Sequence, residues 1–256
     1  MNQKIGLFDS GIGGLSILHE LLKIMPNEDY YYYQDTFHNP YGNKSESELL
    51  KISQEIVEIL LKKGCKIIVI ACNTATTACM SQLRELYPDV IFVGTVPAIK
   101  VCYDYHSNHS ILLSTPYTTK SKRVQELLEL YTDDNHEIIN VSGEDLAHLI
   151  EEDDKEGINQ LLIKILSPYL GKVDSLIMGC THYSLIKKEI LEVLPAIQLF
   201  DGSNGVAREV FHQLEKNHLL KSSLEPGKVE IYNNKSNYII DRSYEILNHM
   251  DNEDIQ

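Results

Sequence analysis

The sequence predicts an α/β protein of two similar doubly wound domains, each built on a parallel sheet, with its candidate site in the cleft between them. Short apolar, β-branched runs alternate with amphipathic helical stretches, which is typical of parallel sheets covered by helices. Four predicted strand starts in the first half recur in the second half at offsets of 106 to 108 residues. A cysteine follows the third strand of each half, and these two residues, Cys72 and Cys180, are also 108 residues apart. The chain therefore repeats an architecture, with one cysteine in each copy.

Composition and charge limit the classes of protein to which the chain can belong. The 256 residues, 43% hydrophobic and 23% charged, suffice for one large domain or two ordinary ones. A net charge of −14 argues against nucleic acid as a partner, because phosphate binding draws on clustered basic residues. No apolar run has the length of a membrane span. Five cysteines without paired spacing argue against a disulfide framework, so we expect a cytoplasmic protein with reduced thiols.

The first half of the chain contains the first series of strands and helices. The strands are predicted at Lys4–Phe8, Tyr30–Gln34, Ile67–Ala71 and Val90–Val93. The helices are predicted at Ser16–Met25, Glu46–Lys62 and Thr76–Leu86. Each strand is short and apolar, and each helix has its apolar residues on one face, so the series predicts a sheet with helices packed against it.

The second half repeats the series, and a short tail follows it. The strands are predicted at Ser110–Leu113, Glu137–Val141, Ser175–Met178 and Ile197–Phe200. The helices are predicted at Lys120–Tyr131, Glu144–Glu152, Ile158–Leu170 and Tyr183–Val193. The tail is predicted to contain helices at Ala207–Lys216 and Asp241–His249 and a strand at Val229–Tyr232. Because so short a tail cannot bury a core of its own, we expect residues 1–97 plus 207–256 to form the first domain and residues 98–206 the second.

Cys72 and Cys180 are the strongest candidates for chemistry. Cys72 ends the strand in IIVIACNTATTAC, and Cys180 holds the matching place in LIMGCTHYSLI. Ligands of open parallel sheets bind at the carboxyl ends of the strands. A helix that begins there lowers the pKa of a thiol below its usual value of about 8.5. The alternatives are buried packing cysteines or a zinc site formed with His182; a redox pair is disfavoured because the Cys-x-x-Cys spacing is absent.

A glycine-rich turn, Asp9–Gly14, lies between the first strand and the first helix. Its glycines allow a tight turn and leave backbone N–H groups free to hold an anion at the start of the helix. It is neither a Walker loop nor a complete dinucleotide fingerprint, and a plain strand–helix turn explains it equally well. Asp9 ends an apolar strand, so its carboxylate is expected at the same sheet edge as Cys72.

Several other segments follow predicted strands and supply polar groups. Pro40-Tyr41-Gly42 offers a turn with exposed N–H groups and a phenol, and Thr115 and Thr118 follow the fifth strand. His182 is expected to face a ligand beside Cys180, because its neighbours are Thr181 and Tyr183. The acidic run from Glu151 to Asp154 would ordinarily be a solvated charge cluster.

Taken together, these motifs resemble those of the cofactor-independent glutamate racemases, within the aspartate/glutamate racemase superfamily. The matching stretches are Ile5–Gly14, Pro40-Tyr41-Gly42, Ala71–Thr76, Val96-Pro97-Ala98 and Gly179–Tyr183. They occur in the expected order across both halves, so the resemblance covers essentially the whole chain. Ser114-Thr115 stands where the family more often has Gly-Thr, and the region from Val141 to Asp154 is divergent.

The resemblance implies inversion of glutamate at its α-carbon by two bases, without cofactor or metal. Carried over by matching motifs, Cys72 deprotonates D-glutamate and Cys180 deprotonates L-glutamate, while the opposite thiol returns a proton. Inversion itself requires an acid and a base on opposite faces of a planar carbanion, which matched cysteines on paired domains would supply. The resemblance also implies a cytoplasmic homodimer that supplies D-glutamate for peptidoglycan.

The same carry-over assigns supporting residues to each cysteine. Asp9 is expected beside Cys72, and His182 beside Cys180 with Glu151 as its acidic partner. The resemblance implies a set of substrate-binding residues from both halves: Asp9, Ser10, Tyr41, Gly42, Asn73, Thr74, Thr181 and His182. Neutral donors in this set explain how an acidic protein can bind a dicarboxylate.

Two other functions remain open from the sequence. An aspartate racemase or a related two-cysteine racemase would share the motifs, because the sequence does not measure the length of the substrate pocket. A nucleotide- or phosphate-binding module, with the glycine turn as its anion site and cysteines that merely pack, belongs to a different class. Protection of the two thiols by glutamate, as opposed to nucleotide, would discriminate between these functions.

Overall fold

The computed structural model describes residues 3–253, with side chains through residue 250, and consists of two parallel-sheet α/β domains. The nine strands are β1 (Lys4–Asp9), β2 (Tyr30–Gln34), β3 (Cys65–Ile70), β4 (Phe92–Gly94), β5 (His109–Ser114), β6 (Glu137–Ser142), β7 (Ser175–Gly179), β8 (Gln198–Phe200) and β9 (Val229–Asn233). Every strand pair in both sheets is parallel. The predicted fold class is confirmed.

The two sheets repeat one strand order. The first sheet runs β4-β3-β1-β2-β9, and the second runs β6-β5-β7-β8. Counted within each half, both place the strands in the order 2-1-3-4, and β9 adds an edge strand beside β2. The tail therefore returns to the first sheet. The domain boundaries after residues 97 and 206 stay predictions, and residues 1–2 and 254–256 of the predicted first domain lie outside the described part of the chain.

Eleven α-helices cover the sheets within residues 3–253. They are α1 (Leu15–Ile24), α2 (Glu46–Lys62), α3 (Asn73–Leu86), α4 (Ile99–Asp104), α5 (Pro116–Lys120), α6 (Lys122–Tyr131), α7 (Leu146–Glu151), α8 (Lys155–Leu166), α9 (Lys187–Val193), α10 (Ser203–Lys216) and α11 (Asn237–Glu253). None of the helices in this range is both long and apolar enough to cross a membrane.

Local sequence explains how the elements next to the cleft form. The β-branched run of β3 is buried from Ile67 onward, as expected for a central strand of a parallel sheet. Helix α2 begins with a capping box, in which the Ser45 hydroxyl accepts from the Glu48 N–H and the Glu48 carboxylate accepts from the Ser45 N–H. One apolar cluster includes residues of both sheets, from Ile5 of β1 to Ile111 of β5, so the domains share a core.

The structure differs from the sequence prediction next to both cysteines. Helix α3 begins at Asn73, three residues before its predicted start, so Cys72 is the N-cap residue. After Cys180 the predicted helix begins as a 3₁₀ turn, Thr181–Ile186, and becomes α-helical only at Lys187. This tighter turn buries Thr181, His182 and Tyr183 together.

Other differences are smaller. The strand predicted at Val90–Val93 forms at Phe92–Gly94, where it pairs with the end of β3. The tail helices begin earlier than predicted, at Ser203 and Asn237. The short helix α4, which connects the sheets, was not predicted at all.

Candidate active site

Cys72 and Cys180 line one cavity between the two domains. Each follows the third strand of its own sheet, and their side chains are buried, with residue exposures of 5% and 7%. Five predicted substrate-binding residues line the same cavity, namely Ser10, Tyr41, Gly42, Asn73 and Thr74. The other predicted residues are buried and joined in pairs by hydrogen bonds, Thr181 to Asp9 and His182 to Glu151. The structure thus brings together every predicted site residue, while their roles stay predictions.

The Cys72 side of the cavity is built around a buried carboxylate. Asp9 is fully buried at the end of β1, and its carboxylate neighbours the Cys72 thiol. Burial raises the pKa of Asp9, against the opposing effect of His182. Burial and the Asp9 carboxylate together raise the pKa of the Cys72 thiol well above its usual value. Cys72 is therefore held as a neutral thiol.

This direction corrects the expectation that the helix would lower the pKa of Cys72. The Ala75 N–H in the first turn of α3 does act to lower the pKa of the thiol, although the Cys72 side chain makes no capping hydrogen bond there. Desolvation and the neighbouring carboxylate outweigh it, because a buried thiolate next to Asp9 would lack compensating positive charge.

The Cys180 side is built around an imidazole and a carboxylate. His182 Nδ1 lies 3.8 Å from Cys180 Sγ, and His182 Nε2 lies 2.7 Å from Glu151 Oε1. Burial lowers the pKa of His182, but its hydrogen bonds to Cys180 and Glu151 prevail and raise that pKa well above the usual value. The raised pKa favours the imidazolium form of His182, so Cys180 Sγ lies beside a positive charge.

The glycine turn holds an anion, and that anion is part of the protein. The Ile12 N–H donates to Glu151 Oε1 over 2.5 Å, so the second domain supplies the carboxylate. Glu151 is buried, in contrast to its acidic neighbours from Glu152 to Asp154, which are exposed. Because Glu151 occupies this N–H, the observation disfavours the turn as a site for nucleotide phosphate. Glu151 therefore does not belong to the solvated charge cluster that such an acidic run ordinarily forms.

Two glycines of the turn are required by the opposite domain. A Cβ added at Gly11 would lie 1.7 Å from Glu151 Oε1, and one at Gly13 would lie 2.5 Å from His182 Nδ1. Neither glycine has a left-handed φ, since the φ of Gly11 is an extended 172°, so close approach and not backbone strain explains them. The glycines make room for His182, which adjoins Cys180, and for its partner Glu151.

Hydroxyl groups connect the domains across the cavity. Thr181 Oγ1 donates to Asp9 Oδ2 over 2.9 Å, joining the Cys180 turn to the carboxylate beside Cys72. Thr74 Oγ1 lies 3.0 Å from Thr115 Oγ1 and 3.3 Å from Thr118 Oγ1. Thr115 and Thr118, noted in the sequence only for their position after a strand, therefore contact a predicted substrate-binding residue.

Two predicted binding residues have distinct environments. The Tyr41 hydroxyl donates to the buried Asp35 carboxylate over 2.5 Å, which fixes the ring and commits its proton. The Asn73 side-chain oxygen is buried and has no hydrogen-bond partner among the described residues. A buried amide with a free atom at a cavity wall is available to a bound polar molecule.

The sequence prediction missed Asp145 and His148, which also line the cavity. Both are exposed and come from the divergent segment, and Asp145 adopts a left-handed backbone conformation with φ 64°. No spacing or composition signal distinguishes them from ordinary surface residues. Within residues 3–253, no group of three metal-ligating side chains is arranged to hold a metal ion.

Comparison with known proteins identifies the family. A family profile described as Asp/Glu/Hydantoin racemase matches residues 29–210. A glutamate racemase of Clostridium perfringens is 39% identical over 237 residues, which cover 91% of each chain.

Solved structures agree with the profile. The crystal structure of Escherichia coli glutamate racemase, in complex with L-glutamate and the activator UDP-MurNAc-ala, has a TM-score of 0.81 and 29% identity. It matches over 94% of this chain and 95% of its own. The Francisella tularensis glutamate racemase, in complex with D-glutamate, has a TM-score of 0.80 and 27% identity over 96% and 93% of the two chains. The chain, with its paired sheets and cysteines, belongs to the Asp/Glu/hydantoin racemase family.

Proposed function

We propose that this protein interconverts L-glutamate and D-glutamate, with Cys72 and Cys180 as the two bases. The observation that carries the proposal is that two cysteines from equivalent strand ends of two domains line one cavity. Inversion at a carbon needs an acid and a base on opposite faces, and this arrangement supplies one from each domain. Relatives named glutamate racemase, and neighbours that bind either enantiomer, support glutamate as the substrate.

In the L-to-D direction, the Cys180 thiolate removes the α-proton of L-glutamate. The electrons of the broken C–H bond pass into the α-carboxylate, giving an enediolate, and Cys180 becomes a thiol. The Cys72 thiol then donates its proton to the opposite face of the α-carbon and becomes a thiolate. The D-to-L direction reverses these steps, so protons and charge balance in both.

The α-proton is weakly acidic, so the enediolate must be stabilised by fixed donors. Ser10, Asn73, Thr74 and Thr181, with the Tyr41-Gly42 backbone, are proposed to bind the two carboxylates. Asp9 is proposed to relay protons at Cys72 or to meet the substrate ammonium. Because burial raises the pKa of Asp9, this carboxylate is suited to take a proton temporarily.

His182 and Glu151 are proposed to act on the other thiol. The imidazolium stabilises the Cys180 thiolate, and Glu151 keeps the imidazole charged and oriented through its 2.7 Å hydrogen bond. We further propose that the protein works without a cofactor, as a homodimer in the cytoplasm, and supplies D-glutamate for peptidoglycan.

Circular dichroism of glutamate tests the proposal directly. Purified protein without added cofactor should abolish the optical signal of L-glutamate and, separately, of D-glutamate. Aspartate is the matched control substrate, because it differs by one methylene, and we expect it to racemise far more slowly. If the optical signal of aspartate is lost faster than that of glutamate, aspartate is the substrate and the proposal is wrong. If neither amino acid loses its optical signal, the proposal is refuted.

Solvent deuterium tests the proton transfer. Product formed in deuterium oxide should carry deuterium at the α-carbon, because the donating thiol exchanges with solvent. Product without label would contradict the two-base mechanism, since only the original proton would then have been returned.

A further inference from the structure

We infer that Arg242 on α11 is a positioning residue that holds Glu151 against His182 and so supports the Cys180 side of the site. The inference rests on the proposed function. Arg242 lies in the tail after Lys216, outside the motifs that carry the family resemblance.

Arg242 clamps the end of α7 from outside the second domain. Its Nη1 donates to the Glu151 carbonyl over 2.7 Å, and its Nη2 donates to the Ile150 carbonyl over 3.1 Å. It also pairs with Asp153 at 3.3 Å. The last carbonyls of a helix receive no hydrogen bond from N–H groups of that helix, and the helix dipole favours a cation beside them. Arg242 therefore fixes the backbone of Glu151 with two charge-assisted hydrogen bonds.

Helix α7 has little stability of its own. It contains only the six residues Leu146–Glu151, and its N-cap residue, Asp145, makes no side-chain capping hydrogen bond. Helices this short do not persist without tertiary contacts. An external clamp at the final turn therefore determines where the Glu151 side chain begins.

From Glu151 the contacts lead directly to the reacting thiol. Glu151 Oε1 lies 2.7 Å from His182 Nε2, and His182 Nδ1 lies 3.8 Å from Cys180 Sγ. Arg242 is thus three contacts from Cys180, through Glu151 and His182. A shift of Glu151 should weaken the imidazolium and slow proton transfer chiefly at Cys180, which His182 contacts directly.

Isotope effects can detect a defect confined to one cysteine. The enantiomers have equal free energy in water, so kcat/KM must be equal in both directions for every variant. With α-deuterated substrate, however, the L isotope effect reports proton removal by Cys180, and the D isotope effect reports removal by Cys72. A slower step at Cys180 raises the L isotope effect on kcat/KM and lowers the D isotope effect.

The experiment compares Arg242→Gln and Arg242→Lys with Lys235→Gln as the matched control. Lys235 comes from the same C-terminal segment and pairs with Glu152 at 3.2 Å, but both side chains are about half exposed. We expect Arg242→Gln to lower kcat/KM about tenfold, with a higher L-to-D ratio of isotope effects. Arg242→Lys should shift the ratio in the same direction by less, and Lys235→Gln should leave rate and ratio unchanged.

An unchanged isotope-effect ratio in a folded Arg242 variant would overturn the inference, even if activity fell. If Arg242→Gln does not fold, Arg242→Lys decides by the same ratio, because one ammonium keeps the charge but not the two-pronged contact. A wild-type protein that does not racemise glutamate would instead refute the proposed function. The two failures are therefore distinguishable.

Discussion

The two halves of the site occupy equivalent positions in the fold but have opposite electrostatics. Cys72 adjoins the Asp9 carboxylate, and burial with that negative charge raises the pKa of its thiol. Cys180 adjoins the His182 imidazolium. Burial lowers the pKa of His182, but the hydrogen bonds to Cys180 and Glu151 outweigh burial and raise it. The fold repeats the position of the sulfur atom, while the charge of the neighbouring side chain differs between the two halves.

This difference teaches how an architectural repeat can serve a two-step reaction. If both thiols were charged, neither could donate a proton, and if both were neutral, neither could remove one. In the proposed reaction of L-glutamate, Cys180 is the base and Cys72 the acid, and the raised pKa of Cys72 favours the neutral thiol that this role needs.

The largest expected effect comes from removing either sulfur. We expect Cys72→Ala and Cys180→Ala each to lower kcat/KM by about 1,000-fold or more in both directions, because each direction uses both thiols. The circular dichroism assay measures this loss. The matched control is Cys79→Ala, which removes a fully buried cysteine elsewhere on α3 and should keep near-normal activity. Near-normal turnover by Cys72→Ala or by Cys180→Ala would show that the reaction does not need both thiols.

His182→Asn should have the next largest effect. We expect kcat/KM to fall about 100-fold, since asparagine keeps hydrogen bonding but cannot carry the positive charge. The isotope effect for L-glutamate should rise relative to that for D-glutamate, whereas Asp9→Asn should shift the ratio the other way. If both variants shift the ratio of isotope effects in the same direction, His182 and Asp9 do not act on different cysteines.

Alkylation rates should differ by about tenfold between the two thiols at pH 7. Iodoacetamide reacts with thiolates, so peptide mass spectrometry should find Cys180 modified faster than Cys72. The difference should narrow as the pH rises, because the pKa of Cys72 is raised. Cys79 provides the internal control, since burial raises its pKa to about 11 and it should stay unmodified. Faster labelling of Cys72 than of Cys180 at pH 7 would contradict the raised pKa of the Cys72 thiol.

The smallest effect concerns stability. Because the native pKa of Asp9 is raised, the native state binds more protons than the unfolded state as the pH rises from 3.8 to that native value. The contribution of Asp9 to the free energy of unfolding therefore falls as the pH rises from 3.8 to the native pKa, and it is fully lost above that pKa. We expect Asp9→Asn to gain about 1 kcal/mol at pH 7, or about 2–4 °C in Tm, and to gain nothing near pH 3. Calorimetry at both pH values measures the difference; an equal gain at both would contradict the role of the charge.

Much of the site was predictable because its signals are local. A buried strand that ends in a polar cluster identifies a sheet edge, and a matched spacing between two such clusters identifies a pair of domains. Cys72, Asn73, Thr181 and His182 follow from these signals and from the resemblance, which the family comparison confirms.

The remaining features depend on contacts between distant parts of the chain. The pKa direction of Cys72 follows from its degree of burial, which the sequence does not give. Arg242 contacts Glu151 only because β9 returns the tail to the first sheet. The early start of α3 also escaped prediction, because Asn73 and Thr74 are weak helix formers whose position there is fixed by packing.

The glycine turn has a consequence for the modularity of the chain. Gly11 and Gly13 look like local backbone choices, yet each is dictated by a side chain of the other domain. A chimera that joined the first domain to a second domain from a distant relative would pack correctly only if the new side chains opposite Gly11 and Gly13 fitted the space that these glycines leave. The halves of this protein therefore resemble duplicated modules in outline, but they must change together as a single unit.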